Sequence, residues 1–101
     1  MKKKKFVKIG KAVINLEIKA LNKLKNSLSN SFNLAVENIV NCQSKVILCG
    51  VGKSGLIANK IAATFSSVGT PSFYLSASDS SHGDLGSISK KDILILISNS
   101  G

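Results

Sequence analysis

The sequence contains no arginine, no tryptophan and a single proline, and only five of its 101 residues are acidic. Without arginine the chain lacks the forked side chain with which proteins most often read guanine bases, so specific nucleic-acid recognition is not predicted. No segment approaches about 18 consecutive uncharged apolar residues, so no membrane-spanning helix is predicted either. Cys42 and Cys49 lack the spacing of metal ligands and are not expected to form a disulfide. The residues therefore indicate no metal and no cofactor.

Positive charge is concentrated at the start of the chain. The first 25 residues contain nine of the 14 lysines and one acid, Glu17, so they carry +8 of the net charge of +9. A lysine-rich arm can bind phosphate backbones or an anionic membrane weakly through charge alone. A solvated helix face is the commoner role of such a run. Because lysines also interrupt the apolar stretch that a signal peptide would need, we expect a cytoplasmic protein.

Two amphipathic helices are predicted before any strand. Apolar residues recur at spacings of three and four over residues 9–27 and again over 31–42. The break between them, Ser29-Asn30-Ser31, has the chemistry of a helix N-cap. We therefore expect a basic flexible arm over residues 1–8 and a helical pair over residues 9–43. The first stripe consists of Ile9, Val13, Leu16, Ala20, Leu24 and Leu28.

Residues 44–101 have the pattern of an α/β domain. Short apolar runs at 46–49, 72–75 and 93–97 predict buried strands, and the last of them is suited to the centre of a parallel sheet. A helix over 54–68 separates the first two strands, and Gly69 followed by Pro71 ends it. This order predicts a doubly wound α/β fold with a parallel sheet. Since a covering helix should follow the third strand, we expect the chain to be an N-terminal fragment of a larger domain.

Residues 50–55, Gly-Val-Gly-Lys-Ser-Gly, join the first predicted strand to this helix. Glycines allow close approach of the backbone to a ligand, and a helix N-terminus favours a phosphate. Lys53 adds a charge and Ser54 a hydroxyl. A nucleotide P-loop would need glycine where Ile47 stands, and no acid stands at the end of the second strand to hold a ribose. The loop therefore predicts a small phosphorylated ligand, and the alternative is a structural turn without one.

Two further segments are candidates for the same site. Residues 98–101, Ser-Asn-Ser-Gly, place hydroxyls and amides at the carboxyl end of the third strand, where ligands bind in open α/β sheets. His82 is the only histidine and lies in a polar, glycine-flanked loop, with Asp84 two residues later. Taken alone, a serine-rich turn and a surface histidine are the commoner interpretations of these segments.

Four motifs together resemble one family. They are Gly50-Val-Gly-Lys-Ser-Gly, the segment 62–71, Ser81-His-Gly-Asp-Leu-Gly and Ile97-Ser-Asn-Ser-Gly, and they occur in one order with matching spacing. The chain thereby resembles the N-terminal part of arabinose-5-phosphate isomerases, in the sugar isomerase (SIS) domain superfamily. The resemblance implies a flavodoxin-like three-layer α/β sandwich preceded by two helices, and a homo-oligomer once the domain is complete. It also implies interconversion of ribulose 5-phosphate and arabinose 5-phosphate, which feeds Kdo synthesis for lipopolysaccharide.

The resemblance also implies roles for particular residues. It places Lys53 and His82 at catalytic positions and predicts that Gly52, Ser54, Gly69, Thr70, Ser98 and Ser100 contact the substrate. Relatives have His-Pro-Gly-Glu where residues 76–79 read Ser-Ala-Ser-Asp, so any metal-binding role of that histidine is lost. The family's later catalytic residues fall beyond residue 101.

We therefore expect no isomerase activity from this chain alone. One alternative is a non-catalytic SIS module that senses a phosphosugar. The other is an electrostatic interaction module that uses the lysine arm.

Overall fold

The computed structural model describes residues 3–76, 86 and 88–99. The three helices and three strands predicted from the sequence are all present among these residues. The chain divides into two compact units, Met1–Ala35 and Val36–Gly101. None of the described helices is long and apolar enough to cross a membrane. The elements in chain order are α1 (Lys3–Ser27), α2 (Asn30–Val40), β1 (Val46–Gly50), α3 (Lys53–Ser67), β2 (Ser72–Ser76) and β3 (Ile93–Ile97).

Helix α1 begins at Lys3, about two turns earlier than the apolar periodicity predicted. Lysine is a good helix former and no proline or glycine lies between residues 3 and 9, so nothing in the sequence ends the helix there. Its apolar side chains are exposed within their own unit, with values from 49% at Val13 to 66% at Leu16. At the start of α2, the Phe32 amide donates to the Ser29 carbonyl at 3.0 Å.

The three strands form a parallel sheet in the order β2-β1-β3. Val46 pairs with Ser72 on one side and with Ile93 on the other, so the three strands are in register over their whole length. Strand β1 is central, with both of its edges paired, and Val46, Ile47 and Leu48 are 0% exposed. The expectation that the third strand is central was wrong for the described sheet, in which β3 is an edge strand.

Helix α3 packs on β1 through small side chains. Ala58 and Ala62 form a buried cluster with Val46 and Leu48, and alanines at these positions allow the helix axis to approach the sheet closely. The helix ends as predicted. Gly69 has a φ of +94°, and the Thr70 amide returns to the Phe65 carbonyl at 2.9 Å, which is a glycine-type helix terminus.

Candidate functional site

The glycine loop begins where β1 ends, and its shape requires glycine at Gly50. A Cβ placed there would lie 2.8 Å from the backbone carbon and oxygen of Ser54. Gly52 has a φ of +61° and stands at the N-cap of α3 without a side-chain capping bond. The first helical hydrogen bonds are donated by Gly55 to Val51 and by Leu56 to Gly52. The amides that precede them belong to the open end of the helix, which is suited to an anion.

A cleft of about 470 Å³ opens beside this loop. Its volume lies in the range of about 300–1,000 Å³ that is usual for small-ligand sites. One wall is the end of β1 with the glycine loop, and the other is the end of β3 with the residues after it. The lining residues are Cys49, Gly50, Val51, Lys53, Ser54, Leu96, Ile97, Ser98 and Asn99.

The strand order explains why the cleft forms at this point. From β1 the chain crosses through α3 to β2 on one side, while β3 lies on the other side of β1. The carboxyl ends of β1 and β3 are therefore a topological switch point, the place where open α/β sheets bind ligands. The sequence did not reveal this, since apolar runs predict strands but not their order in the sheet.

Lys53 is the cation of the cleft. Lys53 is exposed at the first position of α3. The ion pair found within the described part of the chain joins Lys45 to Asp92, at the other end of the sheet, and does not involve Lys53. Lys53 thus has no carboxylate partner among the described residues. Those residues also contain no cluster of His, Cys, Asp and Glu that could hold a metal ion. An uncompensated ammonium beside a helix N-terminus favours an anionic ligand.

The structure brings four of the predicted site residues together: Gly52, Lys53 and Ser54 lie in or beside the glycine loop, and Ser98 lies across the cleft from them. The remaining prediction for this edge, Ser100, lies outside the described residues. His82 also lies outside them, as does Asp84, which follows it by two residues. The predicted roles of His82 and Ser100 remain predictions.

Gly69 and Thr70 are not beside Lys53. They precede β2, and the register places them at the amino edge of the sheet, opposite the glycine loop. There they line a second, smaller cleft of about 260 Å³, shared with residues of α2 and the segment that leads to β1. A five-residue parallel strand rises about 13 Å from its first Cα to its last. The two groups of predicted site residues are therefore separated by the full length of β1.

Two residues near the cleft were missed in the sequence. The Tyr74 hydroxyl donates to the Gly50 carbonyl at 3.2 Å and so contacts the first residue of the glycine loop without lining the cleft. Cys49 lines the cleft while only 8% exposed. An aromatic residue in a strand is ordinary, and no local pattern indicates that its hydroxyl reaches a loop 24 residues earlier.

Comparison with known proteins identifies the family of this site. Residues 39–101 match the family model described as the SIS domain. The chain belongs to the SIS domain family, which confirms the resemblance in the four motifs and the α/β fold that it implied.

Individual relatives agree with this assignment. The chain is 48% identical over 93 residues to an uncharacterized protein of Rickettsia prowazekii, which covers 92% of this chain and 29% of the relative. It is 46% identical over 96 residues to arabinose 5-phosphate isomerase KdsD of Shigella flexneri, covering 95% of this chain and 29% of that one. This chain therefore spans under a third of the length of these curated relatives.

A solved structure is also similar. A protein of Escherichia coli CFT073, determined in complex with arabinose 5-phosphate, matches with a TM-score of 0.88 and 42% identity. The match covers 98% of this chain and 53% of that one. The match therefore includes α1 and α2 as well as the sheet.

Proposed function

We propose that this chain binds a sugar phosphate in the cleft between the ends of β1 and β3, as part of an arabinose-5-phosphate isomerase site. The observation that carries the proposal is the position of Lys53 and Ser54 opposite Ser98 at the switch point of the sheet. Two similarities support the choice of ligand: the relative named arabinose 5-phosphate isomerase and the solved structure in complex with arabinose 5-phosphate.

The groups in the cleft fit such a ligand. The open amides at the start of α3 and the hydroxyls of Ser54 and Ser98 would hold the phosphate. Lys53 would polarise the carbonyl oxygen of the sugar, since an aldose–ketose isomerisation passes through an enediol and stabilises negative charge on that oxygen. His82 is the proposed proton carrier. The reaction needs a base next to the carbonyl, and the described cleft contains no carboxylate or imidazole.

Gly69 and Thr70 give the proposal a second part. If they contact the same ligand as Lys53, they cannot do so within one copy, because the length of β1 separates them and exceeds the length of a pentose phosphate. We therefore propose a homo-oligomer in which these two residues complete the cleft of a neighbouring copy. A closed dimer would supply two such sites.

A phosphosugar sensor is the second candidate function. The observation that favours it is the same cleft, in which the described residues provide a cation and hydroxyls but no base. Conversion of ribulose 5-phosphate to arabinose 5-phosphate by the purified chain would favour the isomerase over the sensor. We expect binding without turnover from this chain alone, and measurable formation of arabinose 5-phosphate would refute that expectation. If the chain serves an arabinose-5-phosphate isomerase, we propose that it acts in the cytoplasm, in the supply of Kdo.

The binding proposal is tested by titrating the chain with arabinose 5-phosphate while backbone amide resonances are followed. The largest shifts are expected in residues 50–54 and at Ser98. Lys53→Met should weaken binding by about tenfold or more, because a charge-assisted contact to an anion contributes about 1.5–3 kcal/mol. Lys60→Met is the matched control, since Lys60 is an exposed lysine of the same helix outside the cleft. Equal effects of the two substitutions, or no binding to the wild-type chain, would refute the proposal.

A further inference from the structure

Tyr74 reaches from the middle of β2 to the end of β1. It pairs in register with Leu48, yet its hydroxyl donates to the carbonyl of Gly50, two residues further along. The ring is half-buried against the core cluster of α3 and β1. The side chain therefore runs along the strand direction towards the edge that carries the cleft, and its one polar atom ends under the glycine loop.

The same hydroxyl limits position 55 to a residue without a side chain. A Cβ built on Gly55 would lie 2.7 Å from the Tyr74 oxygen and 3.1 Å from the Gly50 oxygen. Three groups thus meet at one point: the last carbonyl of β1, the phenol of β2 and a side-chain-free residue in the first turn of α3. The tyrosine oxygen acts as a spacer, and the missing side chain at Gly55 makes room for it.

This contact restrains the part of the loop that faces the ligand. The peptide bond that joins Gly50 to Val51 is planar and trans, so holding its carbonyl against Tyr74 directs its N–H to the opposite side. The following Gly52 has a wide choice of backbone conformations because it has no Cβ. Without an anchor before it, the loop would sample many arrangements of Lys53 and Ser54, and ordering them on binding costs free energy.

We infer that Tyr74 is a positioning residue that holds the glycine loop in its ligand-binding shape through its hydroxyl. The inference rests on the proposed sugar-phosphate site and extends it to a residue that does not line the cleft. A phenyl ring would fill the same space in the core. The hydroxyl is therefore the part of Tyr74 that serves the site, and it acts on the ligand only through Gly50 and the residues after it.

The test compares Tyr74→Phe with the wild-type chain in two measurements. Affinity for arabinose 5-phosphate should fall about fivefold, the effect of losing one ordinary hydrogen bond. Amide hydrogen exchange should become faster at Gly55 and Leu56, whose amides donate to the loop carbonyls of Val51 and Gly52, while the amides of the buried residues Ile47 and Leu48 keep their protection. The matched control is Ser67→Ala, which removes the 2.7 Å bond from the Ser67 hydroxyl to the Thr64 carbonyl at the far end of α3. It should change neither measurement.

Gly55→Ala examines the contact from the other side while keeping the tyrosine, so it remains informative if Tyr74→Phe does not fold. Gly55→Ala should speed amide exchange in the loop and weaken ligand binding. When Tyr74→Phe is added to Gly55→Ala, the further loss of affinity should be smaller than Tyr74→Phe causes in the wild-type chain. The reason is that phenylalanine lacks the oxygen with which the new Cβ would clash. Unchanged loop exchange in both single variants would overturn the inference. So would a uniform loss of protection across β1, which would indicate a purely structural role.

The exchange measurement needs no ligand, which separates this inference from the proposed function. If the wild-type chain fails to bind arabinose 5-phosphate, the sugar-phosphate site is wrong. Faster loop exchange in Tyr74→Phe would still support the positioning role of the hydroxyl.

Discussion

The ammonium nitrogen of Lys45 lies 2.8 Å from Oδ2 of Asp92, and this ion pair joins the residue before β1 to the residue before β3. The Asp92 side chain is only 1% exposed, and it also accepts hydrogen bonds from the Ser44 hydroxyl and from the Ser89 amide, the latter at 2.7 Å. The carboxylate therefore fixes the amino ends of two neighbouring strands. Their carboxyl ends are the walls of the proposed ligand cleft.

The first prediction concerns the pH dependence of stability. The hydrogen bonds from Lys45, Ser44 and Ser89 hold the pKa of Asp92 well below its ordinary value. Because the pKa is lower in the folded chain than in the unfolded chain, the contribution of Asp92 is fully present above the unfolded pKa of about 3.9. It is lost as the pH falls from there through the folded pKa. Thermal unfolding measured between neutral and strongly acidic pH should show this loss.

Asp92→Asn removes the titrating group and should flatten the acid limb of that curve. Glu37→Gln is the control, because Glu37 is an exposed acid on α2 and forms no ion pair with the described residues. It should leave the acid limb as in the wild-type chain. Parallel curves for the wild type and Asp92→Asn would show that the Lys45–Asp92 pair does not contribute.

The second prediction contrasts two glycines. Gly50→Ala should destabilise the chain by about 1–3 kcal/mol, as overpacking of a tight contact does, because its Cβ would lie 2.8 Å from the backbone of Ser54. Gly10→Ala should stabilise α1 by about 0.5–1 kcal/mol, since alanine is the better helix former and nothing lies within 4 Å of the added carbon. Urea unfolding measures the first effect and helical circular dichroism on heating measures the second. A neutral Gly50→Ala would mean that the glycine loop has another shape.

The local part of this structure could be predicted from the sequence. The apolar run at Val46–Cys49 identified β1, and Gly69 with Pro71 marked the end of α3, because strand burial and helix termination depend on neighbouring residues. The four glycine- and serine-rich motifs identified the family in the same way. What these signals share is that each is encoded within a short segment.

The long-range part could not be predicted. The central position of β1 depends on pairing with strands about 25 and 45 residues away, and an apolar run carries no information on its partner. The Tyr74–Gly50 bond and the Lys45–Asp92 pair depend on that pairing and were missed with it. Residues 69 and 70 illustrate the consequence, because a motif gives their order along the chain but not the edge of the sheet at which they lie.

The third prediction concerns the lysines of α1. If they form an electrostatic interaction module, binding of the chain to nucleic acid or to anionic vesicles should be weak, independent of base sequence and steeply reduced by salt. Replacing Lys5, Lys8 and Lys11 by glutamine should then lower the salt dependence by about one phosphate contact for each lysine lost. A signal that is equally weak before and after the replacement would remove this alternative.

The fourth prediction tests whether two copies share a site. Lys53→Met and Thr70→Val should each weaken binding of arabinose 5-phosphate. Suppose that each site of a dimer takes Lys53 from one copy and Thr70 from the other. In an equal mixture of the two variants, half of the dimers are mixed, and each mixed dimer has one intact site of two. Binding should therefore return at about a quarter of all sites. Calorimetric titration of the refolded mixture measures this fraction.

The competing arrangement gives a different result in the same mixture. If Thr70 served the cleft of its own chain, every site in the mixture would carry one substitution and no binding would return. If Thr70→Val alone binds as the wild type does, Thr70 has no role in the site. Gly69→Ala is the companion variant for stability, because a φ of +94° strains any residue with a Cβ while the space around it is open. It should lower the unfolding temperature whether or not Thr70 contacts the ligand.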